Sequence, residues 1–274
     1  GSLYTVEHFR AVRERLAPDG LFCQWLPLFQ LDLGTLRVIV RSFLSVFPAA
    51  QMHLAHFSLG QPLLCLLGSR ESLTFSPDWL VTRVDDRTLQ RQLVQLRLNS
   101  DFALFGGFLG GAAALERFAG QGPLNSDDSA AVNYQAPAFV YGDPELPAER
   151  LQKLVAAMEP ERGTLLADRF VGSEFDDRLR RYWQARDVFL AAGVGVRPSG
   201  DVRQMLRQVR EPLLEAVRLS PDFMPAYDPL LQMARALAPR QPDAAIALLS
   251  ELEEANPEVP LARSLREQIV RARP

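Results

Sequence analysis

The sequence predicts an α/β region followed by an all-helical one, on three observations. Leu21, Phe22 and Cys23 form a short apolar run without polar alternation, the pattern of a strand covered on both faces of a parallel sheet. Helical periodicity flanks that run on both sides, around Phe9 and around Leu36. Beyond residue 144 every periodic pattern is helical. An α/β domain is therefore expected over 1–143, with a helical insertion at about 85–120, and an α-helical domain over 144–274.

Composition narrows the function classes. With 274 residues, 47% of them hydrophobic, the chain can build sizeable cores. A net charge of -3 gives no general attraction to nucleic acid or anionic lipid, so no nucleic-acid partner is expected. Lys153 is the sole lysine, which leaves little room for Schiff-base chemistry. The two cysteines, Cys23 and Cys65, both lie in apolar runs and read as small buried hydrophobes in a reducing cytoplasm. His53 and His56 find no cysteine or carboxylate to complete a metal-ligand set. The longest apolar stretch, FALFGGFLGGAAAL at 102–115, is too short to span a bilayer and is bracketed by Asp101 and Glu116.

Thr5 is placed to cap a first helix whose buried face carries Phe9, Val12 and Leu16, and Pro18, Asp19 and Gly20 stop it. The strand that follows runs out through Gln24 and Trp25 into a loop containing Gln30. Ligands of open α/β sheets sit beyond the carboxyl ends of the strands, so these three residues are candidates for a small-molecule crevice. No glycine-rich phosphate loop precedes the strand. A second helix, about 33–47, buries Leu36, Val40, Phe43, Leu44 and Phe47 and turns Arg37 and Arg41 outward. Two strands at about 50–57 and 62–68 then read as a hairpin with a four-residue loop. The order helix, strand, helix, strand, strand matches the closing half of a methyltransferase-type Rossmann sheet, whose last strand turns antiparallel. On that reading the Cys23 strand keeps an uncovered edge.

Leu89, Leu93 and Leu96 mark a helix, and 102–118 reads as one or two more. The pairs Gly106-Gly107 and Gly110-Gly111 lack phosphate-loop spacing, so close packing or a turn explains them better than a lid over the site. Asp127 and Asp128 form a carboxylate pair suited to acid-base work, with Asn125 to orient a ligand. Adjacent aspartates diverge, however, and this composition also favours turns. An extended segment at 132–140 and a linker at 142–147 follow. Leu151, Leu154, Val155 and Met158 then share a helical face, as do Phe175, Leu179, Tyr182, Trp183, Phe189 and Leu190. Two helix ends, closed by Ser220-Pro221 and Asn256-Pro257, lie 36 positions apart, close to the tetratricopeptide period, with Leu261, Leu265 and Ile269 on a capping helix.

Two stretches carry a family resemblance. LYTVEHFRAVRERLAPDGLFCQWLPLFQLD, at 3–32, resembles the segment that follows the catalytic loop of spermidine synthases, the polyamine aminopropyltransferases. LNSDDSAAVNY, at 124–134, is similar to a second stretch of the bacterial members that are fused to membrane segments, which usually have threonine where Ser126 stands. The resemblance implies a transferase of the carboxy-terminal type that moves an aminopropyl group from decarboxylated S-adenosylmethionine to putrescine or a similar amine. It matches Gln24 to a glutamine near the crevice and makes Asp127-Asp128 a feature of the fused group. The family's glycine-rich loop, ribose-binding acid and proton-accepting aspartate correspond to positions before Gly1. No catalytic residue and no resident cofactor is therefore assigned to this chain, and it is expected to be inactive alone. Amine and nucleoside donor would be partners only with that other half supplied. The expected compartment is the cytoplasm, or the cytoplasmic side of a larger inner-membrane protein, and self-association is compatible with this reading. One competing reading is a non-catalytic helical module in which 144–274 binds a protein; another is half of an S-adenosylmethionine-dependent methyltransferase.

Overall fold

The computed structural model describes residues 2–78, 86–96, 98–132, 145–158 and 165–272. The chain divides into two compact units, one of residues 1–83 with 107–173 and one of residues 84–106 with 174–274. Each is built on its own core.

In the first unit, the Thr5 hydroxyl accepts a hydrogen bond from the His8 N–H and so starts α1 (Val6–Arg15). β1 (Leu21–Pro27) leads through a 3-10 turn (Leu28–Gln30) to α2 (Leu33–Leu44), then to β2 (Gln51–His56) and β3 (Leu63–Ser69). A fourth strand, β4 (Phe108–Gly110), completes a sheet of order β1-β3-β2-β4. Every pairing in it is antiparallel, which corrects the parallel sheet expected from the apolar run. The reason is β3, which inserts between β1 and β2. Those two strands, joined across α2, run in the same direction without touching each other.

One face of the sheet packs on α1 and α2. Phe22, Phe9, Phe43 and Phe47 form a ring cluster there, with Phe43 at 5.0 Å from Phe9 and 4.9 Å from Phe47 between centroids. Gly68, opposite Phe22 on β3, leaves the slot that the Phe47 ring occupies; a Cβ there would lie 2.6 Å from the ring. The other face is more open at β1, where Leu21 is 47% and Trp25 55% exposed, so this strand is not covered on both faces. Among the described residues β1 pairs only with β3 and its outer edge has no partner.

β4 is a departure from the sequence reading, which made 102–118 helical throughout. Three residues are too few to show a strand period, and the strand exists because β2 offers an edge to pair with. Gly107 lies against the Leu54 backbone, whose N–H donates to the Gly107 carbonyl at 2.6 Å. Gly110 lies against Ala114 and Met158, where a Cβ would stand 2.9 Å from Ala114. α5 (Ala112–Ala119) follows at once. Arg37 and Arg41 of α2 were expected to face outward. Arg37 is exposed and Arg41 half-buried, and their guanidiniums take up the carbonyl end of this helix, at Phe118 and Ala119, with Arg41 also donating to Pro123 at 3.2 Å. Burial, with Arg37 beside it, lowers the Arg41 pKa from its ordinary value. α6 (Pro147–Met158) buries Leu151, Leu154, Val155 and Met158, the stripe expected, and belongs to the same unit as the sheet. Most of the extended segment and linker expected at 132–147 lies outside the described residues.

The second unit begins with α3 (Arg87–Gln95), which buries none of its residues, and α4 (Asp101–Phe105). The long α7 (Glu174–Val194) captures the carbonyl end of α4: Trp183 Nε1 donates to Phe105 at 3.1 Å and the fully buried Arg186 to Gly106 at 2.9 Å. Burial pushes the Tyr182 phenol well above its usual range, and Arg186 opposes that shift. A Cβ on Gly106 would drive into the Tyr182 ring and the Phe102 carbonyl. Gly106→Ala should therefore destabilise this unit by about 1–3 kcal/mol, measured as a lowered urea midpoint, whereas the exposed Gly200→Ala should leave it within about 0.5 kcal/mol.

Four helices complete the unit: α8 (Val202–Leu219), α9 (Met224–Leu237), α10 (Pro242–Ala255) and α11 (Leu261–Arg271). They pack in sequence as hairpins, with α8 also against α10. The two helix ends singled out by their spacing meet in space, where the Asn256 side-chain N–H donates to the Pro221 carbonyl at 2.9 Å. Tyr227 ties the next pair of helices, accepting from the Ala262 N–H at 3.0 Å. Arg210 pairs with Glu251 between α8 and α10.

Candidate functional site

The carboxyl end of β1 is held from three directions. Leu28 N–H donates to the Pro62 carbonyl at 3.0 Å, which fixes the turn to the start of β3. Asp32 caps α2, accepting from the Thr35 N–H at 2.8 Å and the Thr35 hydroxyl at 2.6 Å. Arg150 of α6, only 3% exposed, inserts its guanidinium behind the turn and donates to the carbonyls of Leu28 at 2.9 Å, Leu31 at 2.6 Å and Glu145 at 3.1 Å. Sequence reading missed Arg150. Its position in an amphipathic helix gives no sign that its partners are carbonyls about 120 residues away.

On this support stand the candidates. Gln24 is half-buried and its amide donates to the Trp25 carbonyl at 3.2 Å; Trp25 and Gln30 are exposed. Gln24 and Trp25 thus lie inside β1, not beyond its end, and by strand alternation face opposite sides of the sheet, Gln24 with Phe22 and Trp25 with Cys23; of the three candidates only Gln30 stands on the turn. The loop's carboxylate, Asp32, is committed to Thr35, so it holds no free base.

The second candidate stretch is a staple. Asn125 is fully buried: its carbonyl accepts from Val6 N–H at 2.9 Å, its N–H donates to Ser42 Oγ at 2.8 Å, and its side-chain oxygen accepts from Val132 N–H at 3.1 Å. It is thus spent on joining α1, α2 and its own loop and does not orient a ligand. Ser126 and Ser129 close the turn by mutual backbone bonds. Asp127 donates its N–H to Glu7 Oε2 at 3.1 Å, and the carboxyl groups of Asp127 and Asp128 are exposed and make no hydrogen bond or ion pair with a described residue. No hydrogen bond or ion pair among the described residues joins this turn to Gln24, Trp25 or Gln30.

Cys23 and Cys65 are not separate thiols. They form a disulfide between β1 and β3, with Cα atoms 5.8 Å apart, so the compartment inferred from unpaired cysteines has no support in this pair. Sequence reading put each in its own strand but not in adjacent ones. His53, in register with Cys65 on β2, stacks edge-on against Phe108 and shares a hydrogen bond with Gln51 at 3.2 Å. Among the described residues no group of three His, Cys, Asp or Glu side chains assembles that could hold a metal ion. No helix among them is long and apolar enough to cross a membrane. Comparison with known protein families, with characterised protein sequences and with solved structures gives no match.

Proposed function

We propose that this chain is the carboxy-terminal part of a spermidine synthase-like aminopropyltransferase, contributing one wall of the crevice. The observation that carries the reading is the β1-α2-β2 crossover with β3 antiparallel between its strands. A methyltransferase-type Rossmann sheet closes with that arrangement, and β1 keeps an outer edge with no partner among the described residues. The residues that carry the family resemblance include this same strand and the turn after it. Gln24, Trp25 and Gln30 would line the wall, and Asp127-Asp128 would lie on an exposed turn of unassigned role. The donor would be decarboxylated S-adenosylmethionine and the acceptor a small diamine. The β1 loop offers no free carboxylate to take the amine proton, so that group and the donor-binding loop would come from elsewhere in the fold.

The test is aminopropyl transfer by the gene's full product, read as 5'-methylthioadenosine formed from decarboxylated S-adenosylmethionine and putrescine. Turnover is expected, and Gln24→Ala should lower kcat/KM about tenfold, or roughly 1.4 kcal/mol of transition-state stabilisation. The present chain alone should give no calorimetric signal with 5'-methylthioadenosine or putrescine. Tight binding of either by this chain, or a full product without a glycine-rich loop ahead of Gly1, would sink the reading.

A second reading, a helical interaction module, draws on the stacked hairpins of α8 to α11, whose period and interlocked ends resemble a tetratricopeptide array. It predicts that 144–274 recovers a protein partner that 1–143 does not.

A further inference from the structure

We propose that the Cys23–Cys65 disulfide is a thiol-exchange site, at which a low-molecular-weight thiol is taken up as a mixed disulfide on Cys23. The inference rests on strand pairing alone and holds whether or not the transferase reading does. The chain has two cysteines in 274 residues, and the fold brings them together across neighbouring strands. In the β1–β3 register Cys23 faces Leu67 and Cys65 faces Trp25, so the sulfurs join a diagonal pair on one face of the sheet. That face is asymmetric. Cys65 lies on the inner strand, 7% exposed, with β1 on one side and β2 on the other. Cys23 lies on the edge strand, half-buried, between the exposed side chains of Leu21 and Trp25, which point the same way along β1.

Exchange requires an attacking thiolate to approach one sulfur in line with the other, so access decides which sulfur is attacked. Here the open approach is to Cys23. The external thiolate forms a new S–S bond with Cys23 Sγ while the Cys23–Cys65 bond breaks. Its electron pair leaves on Cys65 Sγ, the register partner of His53 on β2, which then takes a proton. The thiol is the co-reactant and no separate oxidant is needed: the protein disulfide becomes one mixed disulfide and one thiol. The chain then loses its covalent tie between β3 and the edge strand β1, which carries Gln24 and Trp25. Trp25, the register partner of Cys65, is the built-in reporter.

The experiment uses the full oxidised chain with reduced glutathione as the probe, without denaturant. The reaction is quenched with acid and free thiols are alkylated before peptide mapping. The expected result is a glutathione adduct on Cys23 with alkylated Cys65, favoured over the reverse by about tenfold or more, together with a rise in Trp25 emission on the same timescale. A Cys65→Ser chain treated with oxidised glutathione should carry the same adduct on Cys23. Adducts mainly on Cys65, equal labelling of the two, or reaction only where the chain unfolds would overturn the proposal. So would a chain purified in air whose cysteines both alkylate.

Discussion

Arg150→Met should cost the fold about 3–5 kcal/mol, seen as a lowered urea midpoint with an unchanged slope. Methionine fills the space of the arginine stem but donates nothing. The carbonyls of Leu28, Leu31 and Glu145 then lose their charge-assisted donor inside the protein, and an orphaned buried carbonyl costs about 1–3 kcal/mol. Arg150→Lys keeps the charge but replaces a planar fork by a single ammonium, which cannot serve carbonyls on both sides of the turn. It should recover less than half of the loss. Because Arg150 lies behind the turn, the amide protons at 28–31 should exchange faster in both variants while those of β3 change little. A loss of less than about 1 kcal/mol in Arg150→Met would mean that the guanidinium is not what holds the β1 loop.

Phe43→Ala is the other large effect, also about 3–5 kcal/mol. Phe43 is fully buried at the centre of the ring cluster, stacked on Phe22 at 5.9 Å and edge-on to Phe9 at 5.0 Å. Truncation removes its transfer free energy and leaves a void lined by three aromatic rings, too rigid to collapse into it. Phe43→Leu keeps most of the volume and should cost only about 1–1.5 kcal/mol. The pair of variants separates packing from secondary-structure preference, since leucine and alanine are both better helix formers than phenylalanine. If alanine proved as mild as leucine, the α2–sheet interface would not be the core of this unit.

The residues that made the elements legible act locally. Phe9, Leu36, Val40 and Phe43 repeat at helical spacing, Thr5 caps the first helix, and β2 and β3 are strand candidates joined through Ser58, Leu59, Gly60 and Gln61. All of these elements formed close to where the pattern put them. The helix ends at Ser220 and Asn256 were found by spacing and meet as a pair. The candidate site was legible only in part. Gln24 and Trp25, expected where the strand runs out, lie within β1 on opposite faces of the sheet, and only Gln30 lies in the turn after it. Asn125, for which the sequence left both a ligand-orienting and a turn role open, is the buried joint between α1 and α2.

By itself the sequence determined roughly where α1, α2 and the first three strands lie and that 144–274 is helical, because periodicity, capping and turn residues act over a few positions. Tertiary structure alone decided which groups meet: β3 between β1 and β2, Cys23 against Cys65, and Arg150 behind the turn of Leu28. It also raised β4 from three residues, since a strand that short exists only where another edge awaits its hydrogen bonds. Such pairings join residues tens to more than a hundred positions apart, and each is set by the energy of completing a buried contact or hydrogen bond with whatever the fold brings near.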